Sequence, residues 1–91
     1  MIQLSDLLKS FITSRHLEGE LDRSRLPGYW EEVVGKGLAA RTQIRSFDNG
    51  VLRVHVPEAS WRHELSLRRD ELRRSINHRA GKELVREIII R

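Results

Sequence analysis

The sequence predicts an α+β domain with a three-stranded sheet. Apolar residues recur at helical spacing in the first forty residues and again over residues 58–80. Between them, near-alternation of apolar and polar residues surrounds Asp48-Asn49-Gly50, which is typical of a β-hairpin. The last segment, LVREIIIR, is rich in β-branched residues and too short for another core helix. The predicted order is therefore ααββα(α)β.

Length and composition favour one small globular domain over residues 1–91. The chain is 38% hydrophobic, which lies above the disordered range. It has no cysteine, so disulfides and thiolate metal sites are excluded. No apolar run approaches the ~20 residues that span a bilayer, and MIQLSDLLKSF lacks a basic leader. We therefore expect a cytoplasmic protein with no membrane partner.

The first half of the chain is predicted to contain two helices joined by a connector. Spacing at i, i+3, i+4 and i+7 predicts the first helix over residues 4–12. Gly19 and Pro27-Gly28 interrupt residues 16–28, which predicts a connector there. A second helix is predicted to begin near Tyr29. The apolar residues of the first helix are Leu4, Leu7, Leu8, Phe11 and Ile12.

The second half supplies the sheet and one or two further helices. Alternation predicts that Leu52, Val54 and Val56 share one face of a strand, which Pro57 ends. Helical spacing then resumes from Glu58 to Ala80, and Gly81 follows as a helix-ending residue.

Catalytic motifs are not found in the sequence. His63-Glu64 begins like a zinc-protease helix, but Leu67 stands where the second histidine is required. Gly35-Lys36-Gly37 lacks the rest of a phosphate-binding loop. We predict a protein that is not an enzyme and has no cofactor, metal or small-molecule substrate.

Arginine is the most informative residue type, because it outnumbers lysine fourteen to three and is concentrated after residue 40. On the predicted helix Glu58–Ala80, three arginines border the apolar stripe of Leu65, Leu72 and Ile76. Pairs at i and i+4, Glu64 with Arg68 and Asp70 with Arg74, would leave this row less neutralised than its neighbours. The row is either a solvated helix face or a surface that binds phosphates. Its members are Arg62, Arg69 and Arg73.

The hairpin strands could extend the positive surface through Arg41, Arg45, Arg53 and His55. These residues are otherwise the solvent-facing side of a half-buried sheet. Trp30 and Trp61 are each predicted to open a helix and to belong to the core.

A series of motifs in order along nearly the whole chain resembles the DciA-like family, formerly catalogued as a domain of unknown function. They are Trp30-x-x-Val33-Val34-Gly35, Ala39 and Thr42, Gly50-x-Leu52-x-Val54-x-Val56, Ser60-Trp61 with Glu64-Leu65, and Leu72, Ile76, Asn77 and Gly81. The resemblance implies a KH-like domain of type II, with helices packed on one face of a small, three-stranded mixed sheet. It also implies a bacterial replication protein that loads or operates the DnaB-type helicase and binds DNA, and it assigns Trp61 to the core.

One departure from nucleic-acid-binding KH domains bears on how this chain would bind. Such domains use a GxxG loop between two helices, whereas residues 65–68, Leu-Ser-Leu-Arg, contain no glycine. Binding should then rest on arginine side chains and be non-specific for single-stranded or duplex DNA. The candidates are Arg62, Arg69, Arg73, Arg41, Arg45 and Arg53. An RNA-binding KH-like module and a protein-interaction domain remain as alternatives.

Overall fold

The computed structural model describes the backbone of residues 4–91 and the side chains of residues 19–91. Four helices and three strands follow one another in the order that the sequence predicts. They are α1 (Leu4–Val34), α2 (Lys36–Ala39), β1 (Gln43–Asp48), β2 (Val51–His55), α3 (Ala59–Leu67), α4 (Arg69–Ala80) and β3 (Glu87–Ile90). This order, with its single three-stranded sheet, confirms the expected α+β architecture.

The sheet is mixed, with β2 in the centre. Strands β1 and β2 form an antiparallel hairpin, and β3 lies parallel to β2 on the other side. A two-residue turn closes the hairpin, with φ of 52° at Asn49 and 79° at Gly50. Glycine is required at position 50 because a Cβ there would lie 2.8 Å from the Arg86 side chain. The Asp-Asn-Gly signal therefore predicted the hairpin correctly.

The hydrophobic core lies between the sheet and the helices. As predicted, Leu52 and Val54 of β2 and Val56 just after it point into the core and are fully buried. Ile88 and Ile90 join them from β3, and the remaining core residues come from α1, α3, α4 and the segment before β3. Those residues are Leu26, Trp30, Leu65, Leu72, Ile76 and Val85. Because the described helices cover only this inner face, the opposite face of the sheet stays open.

The connector predicted over residues 16–28 is wrong, since α1 runs without a break from Leu4 to Val34 and contains Pro27. Pro27 is exposed, while Leu26 and Trp30 are about 1–2% exposed and anchor the helix in the core on both sides of it. Their burial outweighs the hydrogen bond that proline cannot donate. Trp30 consequently lies inside α1 rather than opening a helix. The apolar face predicted for residues 4–12 falls on side chains outside the described residues.

Asn77 links α4 to the segment that leads into β3. Its amide nitrogen donates to the carbonyl of Val85 at 2.9 Å, and its amide oxygen accepts from the Val85 N–H at 2.7 Å. Gly81 ends α4 in the left-handed conformation, with φ of 72°, as its position in the sequence predicts. The two hydrogen bonds between Asn77 and Val85 fix where β3 enters the sheet.

No helix in the described part of the chain is long and apolar enough to cross a membrane.

Candidate nucleic-acid interface

The face of the sheet opposite the helices, called here the outer face, carries the cationic residues of the strands. In β2 it presents Val51, Arg53 and His55, because the alternate residues point into the core. Their neighbours on β3 are Glu87 and Ile89, which pair with Val51 and Arg53 respectively. The outer face thus has three rows of side chains across the strands, which are centred on Val51, Arg53 and His55. The charge of the side chains differs from one row to the next.

In strand β1, Arg45 lies at an irregularity in the pairing. Ile44 pairs with Val54 and Ser46 with Arg53, so Arg45 is an extra residue that forms a β-bulge. The bulge leaves Arg45 exposed beside Arg53. Gln43, which pairs with His55, and Arg45 share strand parity on the outer face, and the bulge is what turns Phe47 to the core side.

Three arginines gather around a small cavity of about 150 Å³ on the outer face. Arg45, Arg53 and Arg91 are all exposed, and none has an acidic partner among the described residues. Arg91 follows β3 and lies beside His55, whose Nδ1 is 3.2 Å from the Arg91 carbonyl oxygen. The cavity is lined by Arg45, Arg53, Val54, His55, Ile89 and Arg91. None of these residues has an acidic side chain, so no side-chain carboxylate compensates the charge of the three guanidinium groups here.

Acidic residues of the outer face lie in a different row. Asp48 and Glu87 flank Val51, two residues along the strands from Arg53, or about 7 Å away. Asp48 is moreover paired with Arg23 of α1 at 3.2 Å. The outer face is therefore polarised along the strand direction, with its positive end at Arg53 and Arg91.

The arginines of α3 and α4 are arranged differently, because acids at helical spacing pair with them. Glu64 pairs with Arg68, and Asp70 pairs with both Arg74 and Arg73. The sequence predicted the first two pairs, but the expectation that Arg73 is less neutralised is wrong. Its guanidinium donates twice to Asp70 Oδ1, at 2.9 and 3.3 Å. These hydrogen bonds, from Arg73 first and then Arg74, hold the pKa of Asp70 below its ordinary value of 3.8.

The remaining candidates from the helical row are partly engaged as well. Arg62 is half-buried and donates to the carbonyl of Val56 at 3.1 Å, which fixes the entry to α3. Arg69 is exposed and donates through Nε to the Ser66 carbonyl at 3.1 Å. The structure does bring Arg69 and Arg73 together, in a cleft of about 240 Å³ that Arg86 also lines.

Arg41 does not lie in a hairpin strand, as the sequence suggested, but in the turn before β1. It pairs with Glu58 at 3.3 Å. Trp61 also differs from expectation, since 39% of it is exposed on α3 instead of being buried in the core. Trp30 is buried as predicted, and its indole N–H donates to the Thr42 hydroxyl at 2.9 Å.

Arg91 is the residue of the outer face that sequence reasoning missed. The signal was present in the alternation of Glu87, Ile89 and Arg91 against Ile88 and Ile90. It could be used only once the parallel register of β3 with β2 was known. Within the described residues, no group of three His, Asp or Glu side chains could hold a metal ion.

The family model described as "Dna[CI] antecedent, DciA" matches residues 3–90 of the chain. The chain belongs to the DciA family. A search of the curated proteins gave no match. Membership implies a role in loading the DnaB-type helicase during bacterial DNA replication, and DciA is a family of helicase loaders, not a known enzyme family.

Proposed function

We propose that this DciA-family protein binds DNA electrostatically through the outer face of its sheet while it assists the DnaB-type helicase. The observation that supports this most strongly is the group formed by Arg45, Arg53 and Arg91, which has no acidic partner among the described residues. Three guanidinium groups around one cavity repel one another, and a phosphate backbone would relieve that repulsion. The same groups match phosphate oxygens in a bidentate geometry.

The other candidates make smaller contributions in this proposal. Arg69 and Arg73, with Arg86, form a second and weaker contact, because Asp70 and Glu87 line the same cleft. Arg41 and Arg62 contribute least, since Glu58 and the Val56 carbonyl already occupy their guanidinium groups. Binding is non-specific in sequence, because arginine contacts to phosphates carry no base information. The activity is cytoplasmic, because bacterial replication takes place there.

Fluorescence anisotropy with labelled single-stranded DNA, duplex DNA and RNA, each at several salt concentrations, tests the proposal. We expect affinity that falls steeply with salt. The double variant Arg45→Gln/Arg53→Gln should bind DNA at least about 10-fold more weakly. The slope of log affinity against log salt concentration should become shallower by about 2, since each lost phosphate contact reduces it by about 1. The matched control is Arg68→Gln/Arg74→Gln, which removes the same charge from exposed, acid-paired arginines.

Three results would contradict the proposal. Equal losses in the two double variants would mean that net charge, and not the outer face, determines binding. Preference for RNA over DNA of the same sequence would favour an RNA-binding KH-like module. Absence of binding to either at low salt would favour a protein-interaction domain, and a pull-down on the DnaB-type helicase would then decide the partner.

A further inference from the structure

His55 lines the same cavity of the outer face as Arg45, Arg53 and Arg91, but the proposed function gives it no role. Its side chain is half-buried on β2, so part of the ring is open to a ligand. Histidine is the residue type whose charge ordinarily changes between about pH 5 and 8. Among the residues that line this cavity, His55 alone can therefore change its charge near neutral pH.

A hydrogen bond to the main chain fixes which ring nitrogen of His55 carries the hydrogen. Nδ1 lies 3.2 Å from the Arg91 main-chain oxygen, which also accepts from the Val56 N–H at 2.8 Å. Such an oxygen only accepts, whether it belongs to a carbonyl or to a carboxylate, so Nδ1 is the donor. In the neutral ring Nε2 then carries a lone pair, and no residue in the described part of the chain bonds to it. Nε2 is thus the ring nitrogen left for a ligand.

The neutral and the protonated ring of His55 offer a phosphate opposite things. A phosphate oxygen is an acceptor, and the lone pair on Nε2 of the neutral ring repels it. Protonation replaces that lone pair by an N–H donor and adds a positive charge, which allows a charge-assisted hydrogen bond. A phosphate held at this cavity therefore binds the protonated ring better than the neutral one.

The charges around His55 determine the sign of this coupling. The side chains next to the ring on the three strands are arginines or neutral residues: Gln43, Arg45, Arg53, Ile89 and Arg91. The acid nearest to His55 along the chain, Glu58, pairs with Arg41 at 3.3 Å. A bound phosphate adds negative charge beside the ring and partly neutralises the guanidinium groups, so the protonated ring is more favourable with phosphate bound than without it.

We propose that His55 is a fourth phosphate contact of the outer face and that it binds in its protonated form. This inference rests on the proposed function, in which the three arginines hold the phosphates. Binding of DNA then takes up about one proton, and the affinity rises as the pH falls through the range in which histidine titrates. The outer face therefore binds DNA more tightly after a modest acidification.

Fluorescence anisotropy with labelled single-stranded and duplex DNA, at about pH 5.5, 6.5 and 8 and constant ionic strength, tests the inference. We expect the affinity to be about 10-fold higher at the lowest pH than at the highest, which is the size of one hydrogen bond to a charged group. The slope of log affinity against log salt concentration should become steeper by about 1 over the same range, since one phosphate contact is added.

Two substitutions at His55 and a matched control assign the pH response. His55→Gln cannot be charged, so it should lose both the change in affinity and the change in salt slope. His55→Lys is charged at every pH used, so it should also lose the pH response but should bind more tightly than His55→Gln at about pH 8. His63→Gln, at an exposed position on α3, is the control and should keep the wild-type response.

The inference and the proposed function fail in different ways. DNA binding with a pH response that His55→Gln shares with the wild type overturns the inference and leaves the proposed function standing. The inference is also overturned if nitrogen–proton correlation spectra of the DNA-free protein at about pH 8 show the hydrogen of His55 on Nε2. Absence of DNA binding at every pH and at low salt contradicts the proposed function, and the inference falls with it.

Discussion

The outer face of the sheet and the exposed side of α4 are both rich in arginine, yet they differ in how much of that charge is compensated. On α4, Asp70 pairs with two arginines at once. On the outer face, Arg53 has Ile89 as its neighbour on β3 and Ser46 with the bulged Arg45 as its neighbours on β1, with no acid beside them. Two regions with similar arginine content therefore offer a polyanion very different surfaces.

The difference follows from the geometry of the two elements. In a helix, residues three and four apart are neighbours, so an acid close in sequence is also close in space and pairs with arginine. In a sheet, the neighbours come from other strands, and the register decides which residues meet. On the outer face, Asp48 and Glu87 flank Val51 rather than Arg53, and Asp48 pairs with Arg23, which is distant in sequence. Charge density along the sequence is thus a poor guide to the positive surface of this protein.

The largest effect is expected from adding an acid to the outer face. Ile89→Glu places a carboxylate beside Arg53 and so makes the outer face resemble α4. We expect DNA binding to weaken by about 10-fold or more, which corresponds to ~1.4 kcal/mol. Fluorescence anisotropy measures the change, and Ile89→Gln, of the same size without charge, should alter affinity by less than about twofold. Equal effects of the two substitutions would show that the loss comes from altered packing.

The two regions are linked by Asn77, and removing its side chain tests how far the outer face depends on α4. Asn77→Ala deletes both hydrogen bonds to Val85 and leaves its backbone groups without these partners, which should lower the free energy of unfolding by about 1–3 kcal/mol. Urea denaturation measures this loss. His78→Ala, at an exposed position next to it, is the control and should stay within about 0.5 kcal/mol. A stability equal to that of the control would mean that β3 is held by its strand pairing alone.

A smaller effect is expected from removing the acid on α4. Asp70→Asn releases Arg73 and Arg74, so this helix should gain affinity for DNA, by about twofold at low salt, and the gain should shrink as salt rises. Anisotropy at two salt concentrations measures it. Glu71→Gln changes the net charge of the same helix equally but has no ion-pair partner among the described residues. If Glu71→Gln gives the same gain, release of the paired arginines is not the cause.

Local patterns in the sequence predicted most of the elements of the fold. Asp48-Asn49-Gly50 predicted the hairpin, because few residues other than asparagine and glycine adopt the positive φ values of this turn. Gly81 predicted the end of α4 for a related reason. The same kind of reasoning failed at Pro27, because the burial of Leu26 and Trp30 depends on contacts with distant parts of the chain. Trp61 was wrongly assigned to the core, because the apolar stripe of a helix does not show which of its two edges packs against the sheet.

The sequence by itself determined the α+β class, the order of the elements, the family and the helical ion pairs of Glu64 with Arg68 and Asp70 with Arg74. Each of these depends on residues that are near one another in the chain or on the order of motifs along it. Only the tertiary structure decided that Arg45 and Arg91 share a face with Arg53 and line one cavity with it. The reason is physical: strand register brings together residues that lie far apart in the sequence, and no local spacing encodes that encounter.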